Sequence, residues 1–193
     1  MVNHDKEFKA IRRTFGVSPG RALPIDTRHR YGNRALLATL CQKLEHKVGA
    51  EIGVRNGRFS KLFCEVGLEM WCIDPWYPVP NYSQARQDRH YQEAVANLSP
   101  FNAHLIKKTS MDALDDVPNN LDFIHIDGRH EFDFVMEDII HWHPKLRSGG
   151  IFAVHDYHLA GVKRAIEAYT LAHHIDPWFT LKSDQPTAFW VKP

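Results

Sequence analysis

The chain has 193 residues, 44% of them hydrophobic and 24% charged, with 24 Lys and Arg against 23 Asp and Glu. That length suits a single core able to bury roughly 70% of the unfolded surface, and the composition excludes a disordered or fibrous chain. The near-neutral balance provides no general attraction for nucleic acid or acidic membrane, and no run reaches the roughly 18 apolar residues of a membrane span, so the expected partner is a small molecule.

Cys41, Cys64 and Cys72 are odd in number and form no C-x-x-C pair, and the opening MVNHDKEF has no apolar signal segment. A reducing, cytoplasmic setting is expected. Residues 1–34 carry eight basic side chains, Lys6, Lys9, Arg12, Arg13, Arg21, Arg28, Arg30 and Arg34, against Asp5, Glu7 and Asp26. This basic arm is either a solvated or partner-contacting extension or a lid over an anionic substrate. Leu37, Leu40, Cys41 and Leu44 fall at helical spacing. The expected division is therefore an arm with a helix over 1–46 and one α/β domain over 47–193.

In VGAEIGVRNGRFS, residues 48–60, an apolar run interrupted by Glu51 predicts a short buried strand, a turn with Gly53 and Gly57, and then a helix with Phe59, Leu62, Phe63 and Val66 inward and Gly67 at its end. Glycines suit a turn that a ligand approaches closely, and the next helix offers free N–H groups. MWCIDPW predicts a second strand ending at Asp74, 21 residues after Gly53, a distance at which an acid can meet ribose hydroxyls. Pro75, Pro78 and Pro80 keep 75–83 out of helix, and Trp76, Tyr77 and Tyr82 make this loop aromatic; it either lines a ligand pocket or simply packs.

A helix over 84–97 with Tyr91, Ala94, Val95 and Leu98 on one side leads to a third strand, Ala103 to Ile106. LDFIHIDG, residues 121–128, is a fourth strand ending at Asp127, followed by a helix marked by Phe132, Val135, Ile139 and Trp142. LRSGGIFAVHDY gives a Gly149-Gly150 turn and a fifth strand that stops at His155-Asp156; Val162, Ala165, Ile166 and Tyr169 mark one more helix. WFTLKS and TAFWVKP close the chain as a hairpin. The alternation predicts an open, doubly wound, mostly parallel α/β sheet with helices on both faces. In such sheets ligands lie beyond the carboxyl ends of the strands, where Gly53, Asp74, Ser110, Asp127 and His155-Asp156 collect.

The glycine turn lacks the third glycine of G-x-G-x-x-G, which disfavours a nicotinamide-dependent oxidoreductase. Its pattern acid-x-Gly-x-x-x-Gly resembles the first motif of class I S-adenosylmethionine-dependent methyltransferases, an ordinary strand-to-helix turn with incidental glycines being the alternative. The later segment DFIHIDGRHEFDFVMEDIIHWHPKLRSGGIFAVHDY is similar to the branch that includes macrocin O-methyltransferase and cephalosporin hydroxylase-like proteins. The resemblance implies a Rossmann-like sheet of seven strands with an antiparallel C-terminal strand, S-adenosylmethionine as cofactor, and methylation of a small-molecule hydroxyl on a sugar or secondary metabolite. It implies that Glu51, Gly53, Asn56, Gly57, Ser60, Asp74 and Asp127 surround the cofactor, and that Ser110, Met111 and Asp112 lie on its adenine side. It also implies a divalent metal, Mg or Mn, on Asp127, His155 and Asp156, and homo-oligomers formed through the N-terminal segment.

The chemistry accounts for these residue types. Methyl transfer from a sulfonium chiefly demands alignment, whereas a hydroxyl acceptor needs a metal or a base to remove its proton. Asp127 and Asp156 are hard oxygen ligands and His130 is the expected base, so the catalytic set is Asp127, His130 and Asp156. An imidazole at 155, where the branch has an acid, suits Zn²⁺, Fe²⁺ or Mn²⁺ better than Mg²⁺. Adjacent side chains on a strand point to opposite faces, so His155 and Asp156 share one site only if the chain turns at Asp156. For Asp127 and His130 the alternative is a loop capping the following helix, and for Ser110 an N-cap. For the whole chain the alternative is a catalytically inactive, methyltransferase-like nucleotide-binding or scaffold protein.

Overall fold

The computed structural model describes residues 4–16, 25–27, 34–80, 82–181 and 183–193. Arg21, Arg28 and Arg30 of the basic arm lie outside the described residues. In chain order the elements are α1 (Asp5–Phe15), β1 (Ile25–Thr27), α2 (Leu36–Lys43), β2 (Val48–Ile52), α3 (Arg58–Glu65), β3 (Glu69–Ile73), α4 (Gln84–Leu98), β4 (Ala103–Ile106), β5 (Leu121–Ile126), α5 (Phe132–Trp142), β6 (Leu146–Val154), α6 (Ala160–Ala172), β7 (Trp178–Leu181) and β8 (Thr187–Val191).

The strands form one sheet in the order β1-β7-β8-β6-β5-β2-β3-β4. Pairings among β2, β3, β4, β5 and β6 are parallel, and β8 runs antiparallel to both neighbours, β6 and β7. The seven expected strands are β2 to β8, with the antiparallel strand last. The eighth is β1, three residues paired in parallel with β7 at the sheet edge, too short to leave a periodic pattern in the sequence.

Two apolar layers cover the sheet. On one face Ile11, Phe15, Leu37, Leu40, Phe63, Ala94 and Leu98 from α1 to α4 pack over Met70, Phe123 and Phe189. On the other, Val135, Ile139, Trp142, Val162, Ile166 and Tyr169 from α5 and α6 pack over Ile124, Phe152 and Trp190. Every residue of β5 is buried, as expected of a central parallel strand with helices on both sides.

Some local details depart from the periodic pattern. The basic arm contains α1, whose Ile11, Thr14 and Phe15 are buried; Phe15 lies 5.4 Å from the ring of Phe189. On α4 the buried residues are His90, Ala94 and Leu98, with Val95 exposed, and on α5 Phe132 is exposed. Gly149 and Gly150 do not precede the fifth strand but lie within it: β6 begins at Leu146, and its register against β5 shifts between Leu121 and Phe123, an irregularity that Gly149 accommodates at φ 77°.

Candidate functional site

The carboxyl ends of β2, β3, β5 and β6 are stitched together by backbone hydrogen bonds that continue the ladder past the strands. Asp127 N–H donates to the Ile52 carbonyl at 2.7 Å, His155 N–H to Ile126 at 2.9 Å, and Gly53 N–H to Ile73 at 2.8 Å. Gly53 adopts φ 89°, and a Cβ there would lie 2.1 Å from the Asp127 carbonyl oxygen. The neighbour that requires this glycine is thus the end of β5. Gly57, at φ 74°, has its Cα against the Leu98 side chain of α4.

Asp74 braces the turn. One carboxylate oxygen accepts Arg55 N–H at 2.8 Å and the other accepts Trp76 N–H at 2.8 Å. Burial nevertheless pushes its pKa up, against those two bonds. The aromatic loop divides: Trp76 is buried, with Nε1 donating to the Arg55 carbonyl at 2.7 Å, whereas Tyr77 is exposed. Trp76 therefore packs, and Tyr77 remains open to solvent. Asn56 faces α4, donating from Nδ2 to Glu93 at 3.2 Å.

Beneath the turn Glu51 is buried between Ser60 Oγ, which donates a hydrogen bond to it, and His125 Nδ1 at 3.3 Å. His125 packs tilted against Phe59 with ring centroids 4.4 Å apart, and its Nε2 has no hydrogen-bond partner among the described residues. A histidine within the apolar run LDFIHI was the available signal for this pair, because a fully buried strand admits a polar residue only with a partner.

At the rim, charges alternate in a chain. Arg34 Nη1 lies 2.7 Å from Asp127 Oδ2; Asp127 Oδ1 lies 3.1 Å from His155 Nδ1; His155 Nδ1 lies 3.3 Å from Asp156 Oδ2; Asp156 Oδ2 lies 3.1 Å from His130 Nε2. The chain does turn at Asp156, which sits at φ 56°, and so His155 and Asp156 meet on one side of the strand end. Asp127 and His130 do not cap α5, whose N-cap is Glu131, without a side-chain capping bond. Arg34 was not singled out by sequence: its partner stands 93 positions away along the chain.

The electrostatics follow from this alternation. Burial would lower His155, but its hydrogen bonds to Asp127 and Asp156 prevail and raise it to about 9. His130 is raised by its bond to Asp156 and by the nearby carboxylates, against partial burial. Burial works to raise Asp127 and Asp156, yet His155 with Arg34 holds the first below its ordinary range, and His130 with His155 holds the second well below it.

In the loop after β4 Ser110 hydrogen-bonds to Asp138, whose Oδ2 is 3.8 Å from the position of a Cβ on Gly128. Capping falls to Thr109, which accepts Asp112 N–H at 3.3 Å and donates to the Asp112 carboxylate at 2.6 Å. Met111 is half-buried against the α5/α6 face.

Asp127, His130 and Asp156 each offer a ligand atom within 4.8 Å of the others, as do Glu51, His125 and Asp127. Asp156 Oδ1 is buried without a hydrogen bond among the described residues, with His158 Nδ1 at 3.7 Å, and such an acceptor is of the kind a cation satisfies. Two carboxylates and an imidazole fit Mn²⁺ better than Mg²⁺. His155 lies outside that group and instead links the two acids.

Among the described residues no helix is long and apolar enough to cross a membrane. Residues 50–157 match the family model described as "Methyltransferase domain". The "Uncharacterized protein y4gI" of Sinorhizobium fredii (strain NBRC 101917 / NGR234) is 26% identical over 114 residues, which are 55% of this chain and 12% of that protein. The chain thus matches a small part of that relative. Among solved structures, the O-methyltransferase from Bacillus cereus in complex with SAH is similar with a TM-score of 0.65 at 13% identity, over 100% of this chain and 93% of that one. The O-methyltransferase TomG from Streptomyces achromogenes, involved in tomaymycin synthesis and solved with SAM, has a TM-score of 0.63 at 17% identity, over 100% and 92%.

Proposed function

The chain belongs to the methyltransferase-domain family, and from that membership we propose that it transfers the methyl group of S-adenosylmethionine to an oxygen of a small-molecule acceptor, a hydroxyl of a sugar or secondary metabolite. The observation that carries the reading is the single rim on which the Gly53 turn, Asp74, Asp127 and the His155-Asp156 pair meet. In this reading Gly53 and Gly57 shape the cofactor seat, Glu51, Asn56 and Ser60 support it, and Asp74 faces the ribose. Ser110 and Met111 flank the adenine, and Asp127 closes the methionine end.

His130 takes the proton of the acceptor hydroxyl at Nδ1 while Asp156 holds Nε2. The oxygen then bonds to the methyl carbon, and the C–S electrons return to sulfur, leaving a neutral thioether. Alignment supplies most of the acceleration, since the donor is already activated by its charge. Asp127 and Asp156 would supply the carboxylate ligands of a divalent ion, whose chemistry would be to lower the acceptor hydroxyl's pKa, leaving the His130 lone pair for the proton. The acceptor is a small molecule rather than nucleic acid or membrane, the setting cytoplasmic, residues 47–193 the catalytic unit, and residues 1–46 a covering and self-association segment. No comparison favours the catalytically silent scaffold.

Calorimetry with S-adenosylhomocysteine tests the cofactor, with micromolar affinity expected and strong weakening by Asp74→Ala; absence of binding by the unaltered protein removes the proposal. Labelled S-adenosylmethionine incubated with pooled hydroxylated metabolites tests the reaction. Transfer by the wild type that Asp127→Ala and His130→Ala abolish is expected, and a protein that binds the cofactor but labels nothing is a scaffold.

A further inference from the structure

We infer that Arg34 binds the α-carboxylate of the methyl donor, a role that rests on the cofactor assignment above. Arg34 stands just before α2, with its guanidinium 4.5 Å from the ring centre of Phe59, in the first turn of α3, and Nη1 on Asp127. Its side chain is 35% exposed, and neither Nε nor Nη2 has a hydrogen-bond partner among the described residues. One nitrogen of the planar fork is anchored on Asp127, and among the described residues the others have no hydrogen-bond partner. A guanidinium has five donors in fixed geometry, so this arrangement leaves room for a second carboxylate beside the first.

The donor's chemistry asks for such a group. Its amino-acid end is a zwitterion. The strand ends supply acids for the ammonium, Asp127 first among them, but the carboxylate needs a cation or free N–H groups. Arg58, exposed at the start of α3, has no ion-pair or hydrogen-bond partner among the described residues, but no contact joins it to Asp127; most of the other described cations near this rim are engaged. His155 is buried between two carboxylates, and His130 is paired with Asp156. Arg55 lies over the ring of Tyr82, with its backbone on Asp74, at the ribose side. Arg34 alone among them is next to both Asp127 and the start of α3. Held by Asp127 and Phe59, it loses little further side-chain freedom on binding.

The test compares three ligands by calorimetry on the full chain: S-adenosylhomocysteine, its decarboxylated analogue, which keeps the ammonium, and 5′-methylthioadenosine, which lacks the whole amino-acid end. Arg34→Gln should weaken S-adenosylhomocysteine roughly 10- to 100-fold, the range for one charge-assisted pair, and leave 5′-methylthioadenosine nearly unchanged, with Arg34→Lys in between. The wild type should bind the decarboxylated analogue about as weakly as Arg34→Gln binds S-adenosylhomocysteine, an arm that needs no variant to fold. Equal weakening of all three ligands by Arg34→Gln would mean that Arg34 only steadies Asp127, and this overturns the inference. So does a wild type that binds the decarboxylated analogue as tightly as the parent. In both cases the cofactor assignment survives. A wild type that binds none of the three ends the cofactor assignment itself.

Discussion

The Cα of Gly53 is pressed against the carbonyl of Asp127, so that the turn after β2 and the end of β5 share one wall of the rim. An alanine at 53 would both strain a backbone at φ 89° and drive its methyl to 2.1 Å from that oxygen. Gly67, at φ 95°, has open space out to 4 Å around the place a methyl would take, and so isolates the strain alone. Gly67→Ala should cost about 1–2 kcal/mol and leave S-adenosylhomocysteine affinity unchanged. Gly53→Ala should exceed about 3 kcal/mol and abolish binding. Urea unfolding with parallel titrations decides it, and equal costs at the two positions would sink the contact account.

Glu51 and His125 form a buried pair under that turn, with Ser60 completing the carboxylate's partners. Removing one member leaves the other desolvated and uncompensated, which costs more than the net worth of the pair. His125→Phe should therefore destabilise by about 2–4 kcal/mol, even though an aromatic ring against Phe59 is kept. Combining it with Glu51→Gln should cost clearly less than the two single changes added together. A double-mutant cycle from urea midpoints measures this; additive costs would mean that the two side chains do not interact.

Much of this rim was legible in the sequence because a buried parallel strand is apolar until it stops, and the first polar residue marks the ligand side. Asp74, Asp127 and Asp156 stood out for that reason. The condition that His155 and Asp156 share a site only if the chain turns was also legible, and φ 56° at Asp156 meets it. Other features were hidden by competing signals or by distance. Phe8, Ile11 and Phe15 have helical spacing, but eight basic residues made the segment look like a solvated arm. That Gly53 also makes room for the Asp127 carbonyl is a contact between distant positions that no local pattern announces. The Arg34–Asp127 pair joins positions far apart in sequence, and no local pattern encodes which arginine of a basic stretch will fold back.

As the proposed base, His130 would have to be neutral to accept a proton, and its bond to Asp156 raises its pKa above 6.5. The proton is held more tightly below that value and lost as pH rises through it, so turnover should climb with pH along a single limb centred above 6.5. Asp156→Asn keeps the shape and removes the charge, and should move that limb to lower pH while reducing the maximal rate. The profile of kcat against pH for the two proteins is the measurement. A limb that stays in place would show that another group governs the reaction.

His143 sits among Phe152, Tyr169 and Trp190 on the face covered by α5 and α6, far from the rim. Burial, with help from Lys192 and His173, lowers its pKa to about 4. A lowered folded-state value means that the stability it permits is complete above the unfolded pKa near 6.5 and is lost as pH falls through about 4. Over that window the protein should lose up to about 3 kcal/mol through this group, and His46, lowered to about 4 chiefly by burial, acts in the same direction. His143→Phe retains a ring in an aromatic setting and removes a buried Nε2 that has no hydrogen-bond partner among the described residues. Its melting temperature should fall less than that of the wild type between pH 6.5 and 4, and His46→Phe should add to the effect because neither imidazole contributes to the other's shift. Thermal unfolding across that range checks both; parallel curves for wild type and His143→Phe would show that this imidazole already takes up its proton in the folded protein.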